Sequence, residues 1–516
     1  MPDRADVKTD LLADLNPVQA EAVSHPGGPL LIVAGAGSGK TRVLTHRVAY
    51  LIKEQGVSPF QILAITFTNK AADEMKSRVA ALVGPVAKRM WVSTFHSACV
   101  RILRRDAHHL GYKSSFTIYD QSDAERLTNY VLRDLNIDTK RFPPRAVHAV
   151  ISQAKNELVG VDAYADKSMG PYEKRIAEVY REYQRRLKEA NAMDFDDLLT
   201  VTVELLRRYP DVLTYYRQRF TQVLVDEFQD TNKAQNDLVV MLAQEHRNIC
   251  VVGDSDQSIY RFRAADIRNI LQFEETFPEA TMVVLEQNYR SSQTILDAAN
   301  SVIANNLMRK PKALWTEQIG GELIERYFAE DERDEAEWVT AQMRRLHEEH
   351  HYRWGDLAVF YRTNAQSRVL EEFLARHDIP YKVVGGTRFY DRREVKDVLA
   401  YLRAVANPAD EVSLKRIVNV PRRGVGDTSV ARLDTWATSH GRPFADALSH
   451  ADEAGVGGKA LAGIRTLDRL LAELRENGDG PAAVLDRVMS VTGYRAELEA
   501  DDSLEARMRL HRNAKE

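Results

Sequence analysis

The chain has 516 residues, 44% hydrophobic and 28% charged, a balance that excludes disordered and fibrous proteins. Its 71 basic and 75 acidic residues give a net charge of −4, so bulk electrostatic attraction cannot be the whole basis of nucleic-acid binding. Cys99 and Cys250 are far apart in sequence and predict neither a disulfide framework nor a zinc knuckle. Without a signal peptide or an apolar run of ~18 residues, the chain is expected to be cytoplasmic, with several domains and no membrane partner.

Short apolar strands alternate with longer helical segments from residue 29 onward, which predicts a parallel α/β sheet. Between about residues 121 and 219 the pattern is helical only, with a long charged helix from 172 to about 191. One sheet domain split by a helical insert is therefore predicted. Its six strands are expected in PLLIVAG (29–35), ILAITF (62–67), MWVSTF (90–95), QVLVDEF (222–228), ICVVGD (249–254) and MVVLEQN (282–288).

A second, weaker α/β pattern follows the sheet segment. It predicts strands in IERYFA (324–329), DLAVFYR (356–362) and YKVVGG (381–386), separated by helices over 332–349 and 364–377. After about residue 392 only helices are expected. No internal repeat is present, which argues against solenoids and propellers.

The segment AGAGSGKT (34–41) lies between an apolar strand and a helix, where a glycine-rich loop typically binds phosphate groups. Glycines let backbone N–H groups approach phosphate oxygens, Lys40 can reach the β and γ phosphates, and the Thr41 hydroxyl can hold Mg²⁺. Ala34 stands where the motif usually has its first glycine. A plain strand-to-helix turn is the alternative.

Two adjacent acids end the strand in VLVDEFQD (223–230). This is the sheet edge where α/β proteins bind ligands. Asp226 is predicted to coordinate Mg²⁺, and Glu227 to orient and deprotonate the water that attacks the γ phosphate. A helix-capping acid pair is the alternative. Together with the glycine-rich loop, the acids favour hydrolysis of ATP or GTP.

Five further motifs occur in order, and with the first two they resemble the UvrD/PcrA/Rep type of superfamily I DNA helicases. YRTNAQSRVLEE (361–372) and DFDDLL (194–199) also resemble segments of that family. The five motifs are LNPVQAEAV (15–23), AITFTNKAADEM (64–75), VSTFHS (92–97), GDSDQSIYRFRAAD (253–266) and LEQNYRSS (285–292).

The resemblance implies a nucleotide site with defined roles. Gln19 would read the adenine edge, Tyr289 would pack on the base, and Gln257 and Arg290 would lie near the γ phosphate. The implied catalytic residues are Lys40, Asp226, Glu227, Gln257 and Arg290, with Thr41 and Asp226 as metal ligands. The implied nucleotide-binding residues are Gln19, Ala34, Gly35, Ala36, Gly37, Ser38, Gly39, Lys40, Thr41, Arg42 and Tyr289.

The resemblance also implies a face that binds single-stranded DNA through aromatic side chains, which stack on bases without reading sequence. Phe262 replaces the tryptophan usual in the family. The alternative for Phe67 and for Phe95 is a place in the core. A further turn, PRRGVGDTSV (421–430), is expected either to bind duplex phosphate through amides, Arg422 and Arg423, or to be a plain surface turn. The implied DNA-binding residues are Phe67, Thr94, His96, Tyr260 and Phe262.

The implied fold is α/β, with P-loop (RecA-like) parallel-sheet motor domains and helical inserted domains. The implied function is that of an ATP-dependent 3′-to-5′ DNA helicase or translocase in repair or replication, using ATP and Mg²⁺. Its partners would be single-stranded DNA, single/double-strand junctions, and repair or transcription proteins. The expected domains are 1–120 with 215–284 (first motor), 121–214 (insert), 285–391 (first part of the second motor) and 392–516 (helical, incomplete at its C-terminus).

Two motifs usual in the family are absent, a TxHxxKGLEF segment and a second arginine-bearing motif. Their absence predicts a truncated second motor domain with an unpaired sheet edge and poor solubility or self-association. It leaves open an alternative function, that of a fragment which binds ATP and single-stranded DNA without unwinding. A small-molecule P-loop kinase, a third possibility, has no support from the DNA motifs.

Overall fold

Six parallel strands form the main sheet, in the order β3-β2-β6-β7-β1-β8. The computed structural model describes residues 10–384, 392–476 and 480–499. All six strands predicted for the split domain are confirmed. Strand β6 follows the helical insert in sequence, yet it pairs with β2, which lies before the insert. The strands of the sheet are β1 (Leu30–Ala34), β2 (Ile62–Thr66), β3 (Trp91–Thr94), β6 (Gln222–Val225), β7 (Ile249–Gly253) and β8 (Thr281–Leu285).

Both faces of this sheet are buried, as expected for parallel strands covered by helices. Along β1, Leu31 and Val33 belong to one apolar cluster, whereas Leu30, Ile32 and Ala34 belong to the other. The alternation follows from the two-residue period of a strand. Fixing β1 from both sides also fixes the loop that follows it.

Helices flank the sheet, and several begin at side chains that cap their first turn. Thr68 caps α3 and Thr94 caps α4, each through its hydroxyl group. Asn232 forms a reciprocal capping pair with Gln235 at the start of α11. These helices are α1 (Pro17–Ser24), α2 (Lys40–Lys53), α3 (Asn69–Val83), α4 (Phe95–Asp106), α11 (Lys233–Ala243), α12 (Arg268–Leu271), α13 (Phe273–Thr276) and α14 (Gln293–Ile303).

The insert between β3 and β6 is mainly helical and has its own apolar cluster. The prediction that it contains no strand is wrong, because β4 (Thr117–Tyr119) pairs in parallel with β5 (Ala192–Asp194). Three residues are too few to show the alternation by which a strand is recognised in sequence. Its helices are α5 (Gln121–Asp134), α6 (Pro144–Asn156), α7 (Val161–Lys167), α8 (Pro171–Glu189), α9 (Phe195–Arg208) and α10 (Pro210–Arg219).

The DFDDLL segment forms the start of α9 and a buried ionic cluster. The Lys155 ammonium lies 2.7 Å from an Asp194 oxygen and 2.8 Å from an Asp197 oxygen. Asn156 donates to Asp196 at 2.9 Å and accepts from Asn232, which caps α11. The cluster therefore ties the insert to the chain that follows the acids of β6.

The chain forms two compact units, residues 1–321 with 401–516 and residues 322–400. The second unit contains α15 (Glu332–Glu348) and α16 (Ser367–Arg376), near the predicted helices. The strands predicted over 324–329, 356–362 and 381–384 are wrong, since these segments carry no ladder; 385–386 lie outside the described residues. A strand needs a hydrogen-bonding partner as well as propensity. Phe328 and Phe360 are accordingly 85% and 94% exposed.

The chain beyond residue 392 is helical wherever the structure describes it, as predicted. Near its start, Tyr119 of the insert donates to Asp410 at 2.7 Å and Arg403 pairs with Asp123 at 2.6 Å. Within the described ranges, no helix combines the length and hydrophobicity needed to cross a membrane. The helices are α17 (Arg393–Ala406), α18 (Glu411–Ile417), α19 (Asp427–His440), α20 (Phe444–Ser449), α21 (Gly458–Glu476), α22 (Pro481–Val491) and α23 (Tyr494–Glu499).

Candidate functional site

The glycine-rich loop connects β1 to α2 at the carboxyl edge of the sheet. Gly37 and Gly39 have φ of +68° and +87°, left-handed values that a side chain would strain. The buried Ser38 hydroxyl donates to Gly35 O at 2.8 Å and holds the turn closed. Lys40 is the first residue of α2, so the helix N-terminus and the lysine charge face the same position. This arrangement suits an anionic phosphate group.

The two acids of β6 lie beside this loop. Lys40 Nζ is 3.3 Å from Glu227 Oε2, although 187 residues separate them in sequence. Glu227 has φ of +50°, a left-handed value unusual for a residue with a side chain, which turns it off the strand. Asp226 continues the sheet by donating its N–H to Ile65 O at 2.9 Å. The two carboxylates therefore lie at the end of the sheet with the phosphate loop.

The Asp226 carboxyl is 7% exposed. Burial, and then the neighbouring Glu227 charge, raise its pKa to about 7, although Lys40 opposes the shift. A metal cation would favour the charged form. Asp226 supplies carboxylate oxygens and Thr41 a hydroxyl oxygen, which are donors that Mg²⁺ prefers. The donor set therefore fits this ion.

Asp226→Asn is expected to raise the melting temperature of the nucleotide-free protein at pH 8 by roughly 2 °C. The folded-state pKa of about 7 exceeds the ordinary 3.8, so the folded chain binds this proton more tightly than the unfolded chain. The stability contributed by Asp226 therefore falls as pH rises from about 4 to about 7. Melting curves at pH 5.5 and pH 8 test this; an equal gain at both would exclude the charge as its cause.

The first turn of α1 contacts both the phosphate loop and the segment after β8. The Gln19 carboxamide donates to Ser38 O at 2.9 Å and accepts from Asn16 N at 3.2 Å. Asn16 Nδ2 donates to the Tyr289 hydroxyl at 2.8 Å. The structure thus brings Gln19 and Tyr289, predicted to bind adenine, to one end of the loop. Each Gln19 polar atom keeps capacity for one further hydrogen bond.

The segment after β8 also contacts the loop directly. Tyr289 N donates to Gly37 O at 3.0 Å, and Asn288 Nδ2 donates to Ala36 O at 2.6 Å. A Cβ on Gly37 would lie 2.9 Å from Cβ of Arg290, so the predicted γ-phosphate arginine starts beside the loop. The Arg290 residue is exposed. Asn288 was not singled out from the sequence.

Gln257 belongs to the segment after β7 and donates to Asp254 Oδ2 at 2.6 Å. Gln229, 1% exposed, links this segment to the acids: its Nε2 donates to Glu227 Oε2 at 2.9 Å and its Oε1 accepts from Asp254 N at 2.9 Å. Gln229 was not singled out from the sequence, although it lies within the VLVDEFQD motif. The deep burial of this polar side chain is the signal of its role, and burial is visible in the fold but not in the sequence.

Three predicted DNA-binding aromatics form a continuous row. The rings of Phe67 and Tyr260 are 4.9 Å apart, and those of Tyr260 and Phe262 are 5.9 Å apart. Phe262 is 71% exposed, whereas Phe67 is half-buried, so the core alternative fails for Phe67 but holds for Phe95, 4% exposed. The row can therefore present ring faces to bases.

Thr94 and His96 lie at the start of α4. The Thr94 hydroxyl caps the helix by accepting from Ser97 N at 3.3 Å. Burial lowers the pKa of His96, which favours the neutral form of the ring. It meets the ring of Phe195 edge-on, with centroids 5.9 Å apart. Phe195 is 49% exposed and was missed from the sequence, where it stands among acids in DFDDLL.

Two protein-family models match the chain one after the other. The UvrD/REP helicase N-terminal domain matches residues 15–278, and the UvrD-like helicase C-terminal domain matches residues 283–453. Their order is that of the motifs in the sequence. The chain belongs to the UvrD/REP helicase family.

Curated relatives of this helicase agree with the domain models. The ATP-dependent DNA helicase PcrA of Bacillus subtilis is 48% identical over 506 residues, which are 98% of this chain and 68% of the relative. PcrA of Staphylococcus epidermidis is 50% identical and PcrA of Staphylococcus aureus 51% identical, each over 97% of this chain and 69% of the relative. These matches do not support the alternative of a truncated fragment without unwinding activity.

The PRRGVGDTSV turn (421–430) follows α18, and it does not present Arg423 for binding duplex phosphate, which was one of its two predicted roles. Arg423 of the helicase does not project its charge outward, because its guanidinium donates to the carbonyls of Ile417 and Val420 at 2.9 and 2.8 Å and also to Tyr401. The side chain thus holds the turn from inside. Arg422 remains exposed.

Proposed function

We propose that this helicase hydrolyses ATP, with Mg²⁺, to move 3′ to 5′ along single-stranded DNA and open single/double-strand junctions in repair or replication. The hydrogen-bonded connection from Lys40 through Glu227 and Gln229 to the segment of Gln257 carries the proposal. That segment continues directly into Tyr260 and Phe262. Hydrolysis chemistry and the aromatic row are therefore parts of one connected structure.

The nucleotide would be held at three places. The loop from Ala34 to Arg42 would bind the phosphates through its amides and Lys40, while Gln19 and Tyr289 would bind the base. Mg²⁺, held by Thr41 and Asp226, would supply positive charge to the phosphate oxygens. The PcrA relatives are named ATP-dependent DNA helicases, which supports ATP over GTP.

Hydrolysis would depend on three side chains with separate tasks. Glu227 would orient the attacking water and accept its proton, while Lys40, its ion-pair partner, would bind the phosphates. Gln257 would sense the γ phosphate. The exposed Arg290 would stabilise the charge that develops on the transferred group, a role worth about 10³ to 10⁵ in rate.

The track would be the aromatic row with Thr94 and His96. Stacking is worth roughly 1 to 3 kcal/mol per base and does not depend on sequence, which suits a motor that steps along any strand. The same name of the relatives, DNA helicase, supports DNA over RNA as the track. Repair or transcription proteins would direct the helicase to its sites, and the cytoplasm would be its location.

We further propose the domain bounds that the motifs imply. The first motor domain comprises 1–120 and 215–284, the insert 121–214, the second motor segment 285–391, and the helical segment starts at 392. The interruption of the six-stranded sheet between β3 and β6 supports the first two ranges.

Translocation polarity tests this function. Single-stranded oligonucleotides labelled with a fluorophore at either end are mixed with the helicase and ATP in a stopped-flow instrument. Arrival at the 5′ end, with a lag that grows with oligonucleotide length, is expected. Length-dependent arrival at the 3′ end instead would contradict the proposed direction, and a signal independent of length would contradict translocation.

Phe67→Ala is expected to weaken binding of single-stranded DNA by roughly 1 to 3 kcal/mol, the value of one stacked base. Fluorescence anisotropy with labelled oligothymidine measures the loss. Phe60→Ala is the matched control, because Phe60 is an exposed aromatic just before β2, whereas Phe67 follows the same strand. Equal affinity in the two variants would remove Phe67 from the track.

A further inference from the structure

Residues 309–316 (RKPKALWT), which we call the crossing segment, contact three loops of the nucleotide site. Trp315 N donates to Glu286 O at 3.3 Å and Trp315 O accepts from Asn288 N at 2.8 Å, so the segment pairs with the chain that leads to Arg290. A Cβ on Gly35 would clash with the Leu314 side chain, so Leu314 packs directly on the phosphate loop. None of the seven motifs includes this segment.

The third contact is ionic and buried. Lys312 Nζ lies 2.5 Å from Asp254 Oδ1 and 2.5 Å from Asp256 Oδ2. The side chains of Lys312 and Asp254 are each 2% exposed, and that of Asp256 is 12% exposed. Arg309 adds a second cation at 2.9 Å from Asp256, so two bases balance two acids. A buried pair of this kind costs desolvation, and it is weak as a source of stability.

The pair of Lys312 and Asp254 matters more for the geometry of the site than for stability. Asp254 Oδ1 accepts from Lys312 and from the Asp256 backbone N–H at 2.9 Å, which leaves Oδ2 to hold the Gln257 carboxamide at 2.6 Å. The Asp254 carboxylate is thus fixed in rotation about its own axis. The Gln257 carboxamide is in turn held through its Nε2, and no described residue donates to its Oε1, which leaves this oxygen to accept from a ligand. Lys312 therefore reaches Gln257 through one intervening carboxylate.

We propose that Lys312 is a positioning residue for ATP hydrolysis: it holds Asp254 so that Gln257 is kept in its working orientation, and it ties this orientation to the chain carrying Arg290. The proposal rests on the hydrolytic function proposed above and extends it to a residue outside the motifs. The Lys312 side chain is 2% exposed and is enclosed by its two carboxylate partners, so we expect it to act on Gln257 through Asp254 and not by contact with nucleotide or DNA.

Lys312→Met keeps most of the length of the unbranched side chain and removes its charge. We expect kcat for DNA-stimulated ATP hydrolysis to fall about 10- to 100-fold, since small misplacement of a catalytic group costs this much. Nucleotide affinity, measured with a fluorescent ATP analogue, is expected to stay within about threefold, because the binding loop and Gln19 are unchanged. A general loss of structure would reduce both together.

Lys310→Met is the matched control. Lys310 belongs to the same segment, but its side chain pairs with Glu274 and not with Asp254 or Asp256. Its backbone N–H donates to the Ser255 hydroxyl at 3.1 Å and is untouched by the substitution. This variant is expected to keep kcat within twofold of the wild type. A loss equal to that of Lys312→Met would overturn the specific role of Lys312.

A double-mutant cycle with Asp254→Asn separates positioning from stability. If Lys312 acts through Asp254, the double variant is expected to lose no more kcat than the worse single variant; multiplied losses would overturn the proposal. If Lys312→Met melts below the assay temperature, the double variant is used for the test, because it leaves neither charge of the Lys312–Asp254 pair unpaired. A kcat of the double variant within threefold of the wild type would then overturn the proposal. A wild type that hydrolyses no ATP would refute the proposed function, and this proposal with it, whereas an active wild type with an equally active Lys312→Met refutes only the latter.

Discussion

Lys40→Ala is expected to reduce DNA-stimulated ATP hydrolysis by about 10³-fold or more, equivalent to ~4 kcal/mol in the barrier. Lys40 is the one cationic residue of AGAGSGKT (34–41) and stands at the first position of α2. Its side chain lies against Glu227 and is 12% exposed, and alanine leaves no charge at this position to bind the phosphates. Steady-state phosphate release with saturating single-stranded DNA measures the loss.

The fold is expected to survive this change. The side chain makes one ion pair, and its partner Glu227 keeps the hydrogen bond from Gln229. Lys53→Ala is the control, because Lys53 is an exposed lysine in the last turn of the same helix. Wild-type turnover in Lys40→Ala, with the control unchanged, would refute the assignment of the phosphate loop.

Glu227→Gln is expected to separate ATP binding from hydrolysis. An amide of the same shape still accepts from Lys40 and Gln229 but cannot take a proton from water, so kcat is expected to fall by about 10²- to 10⁴-fold. Nucleotide affinity is expected to stay near that of the wild type. Binding is measured with a fluorescent analogue and turnover by phosphate release.

Glu279→Gln provides the comparison, since Glu279 pairs with Arg247 on the surface. It is expected to match the wild type in both measurements. Loss of binding and turnover to the same degree in Glu227→Gln would instead indicate that Glu227 supports the loop structurally.

The main sheet was predictable because each of its strands is an apolar run bounded by turn residues. The same reasoning failed for residues 324–329, 356–362 and 381–384, where the composition favours strands but no ladder forms. Propensity describes one segment, whereas a strand depends on a second segment far away in sequence. The short pair β4 and β5 shows the opposite error, since strands form that the sequence did not predict. Seventy-two residues lie between the two strands, and each strand is too short to be periodic.

The candidate site likewise contains residues that local sequence predicts and residues that it does not predict. Lys40, Asp226 and Glu227 belong to motifs with a mechanical meaning, so their positions follow from local sequence. Gln229, Asn288 and Lys312 look like ordinary surface residues in the sequence. Their burial depends on which loops the sheet brings together, and only the three-dimensional structure supplies that.

The most direct test is the steady-state ATPase activity of the 516-residue chain with and without single-stranded DNA, beside Lys40→Ala. We expect DNA to stimulate ATP hydrolysis strongly in the wild type and not in the variant, because the phosphate loop and the aromatic row are joined through Gln229. Nucleotide binding without stimulated turnover in the wild type would contradict it.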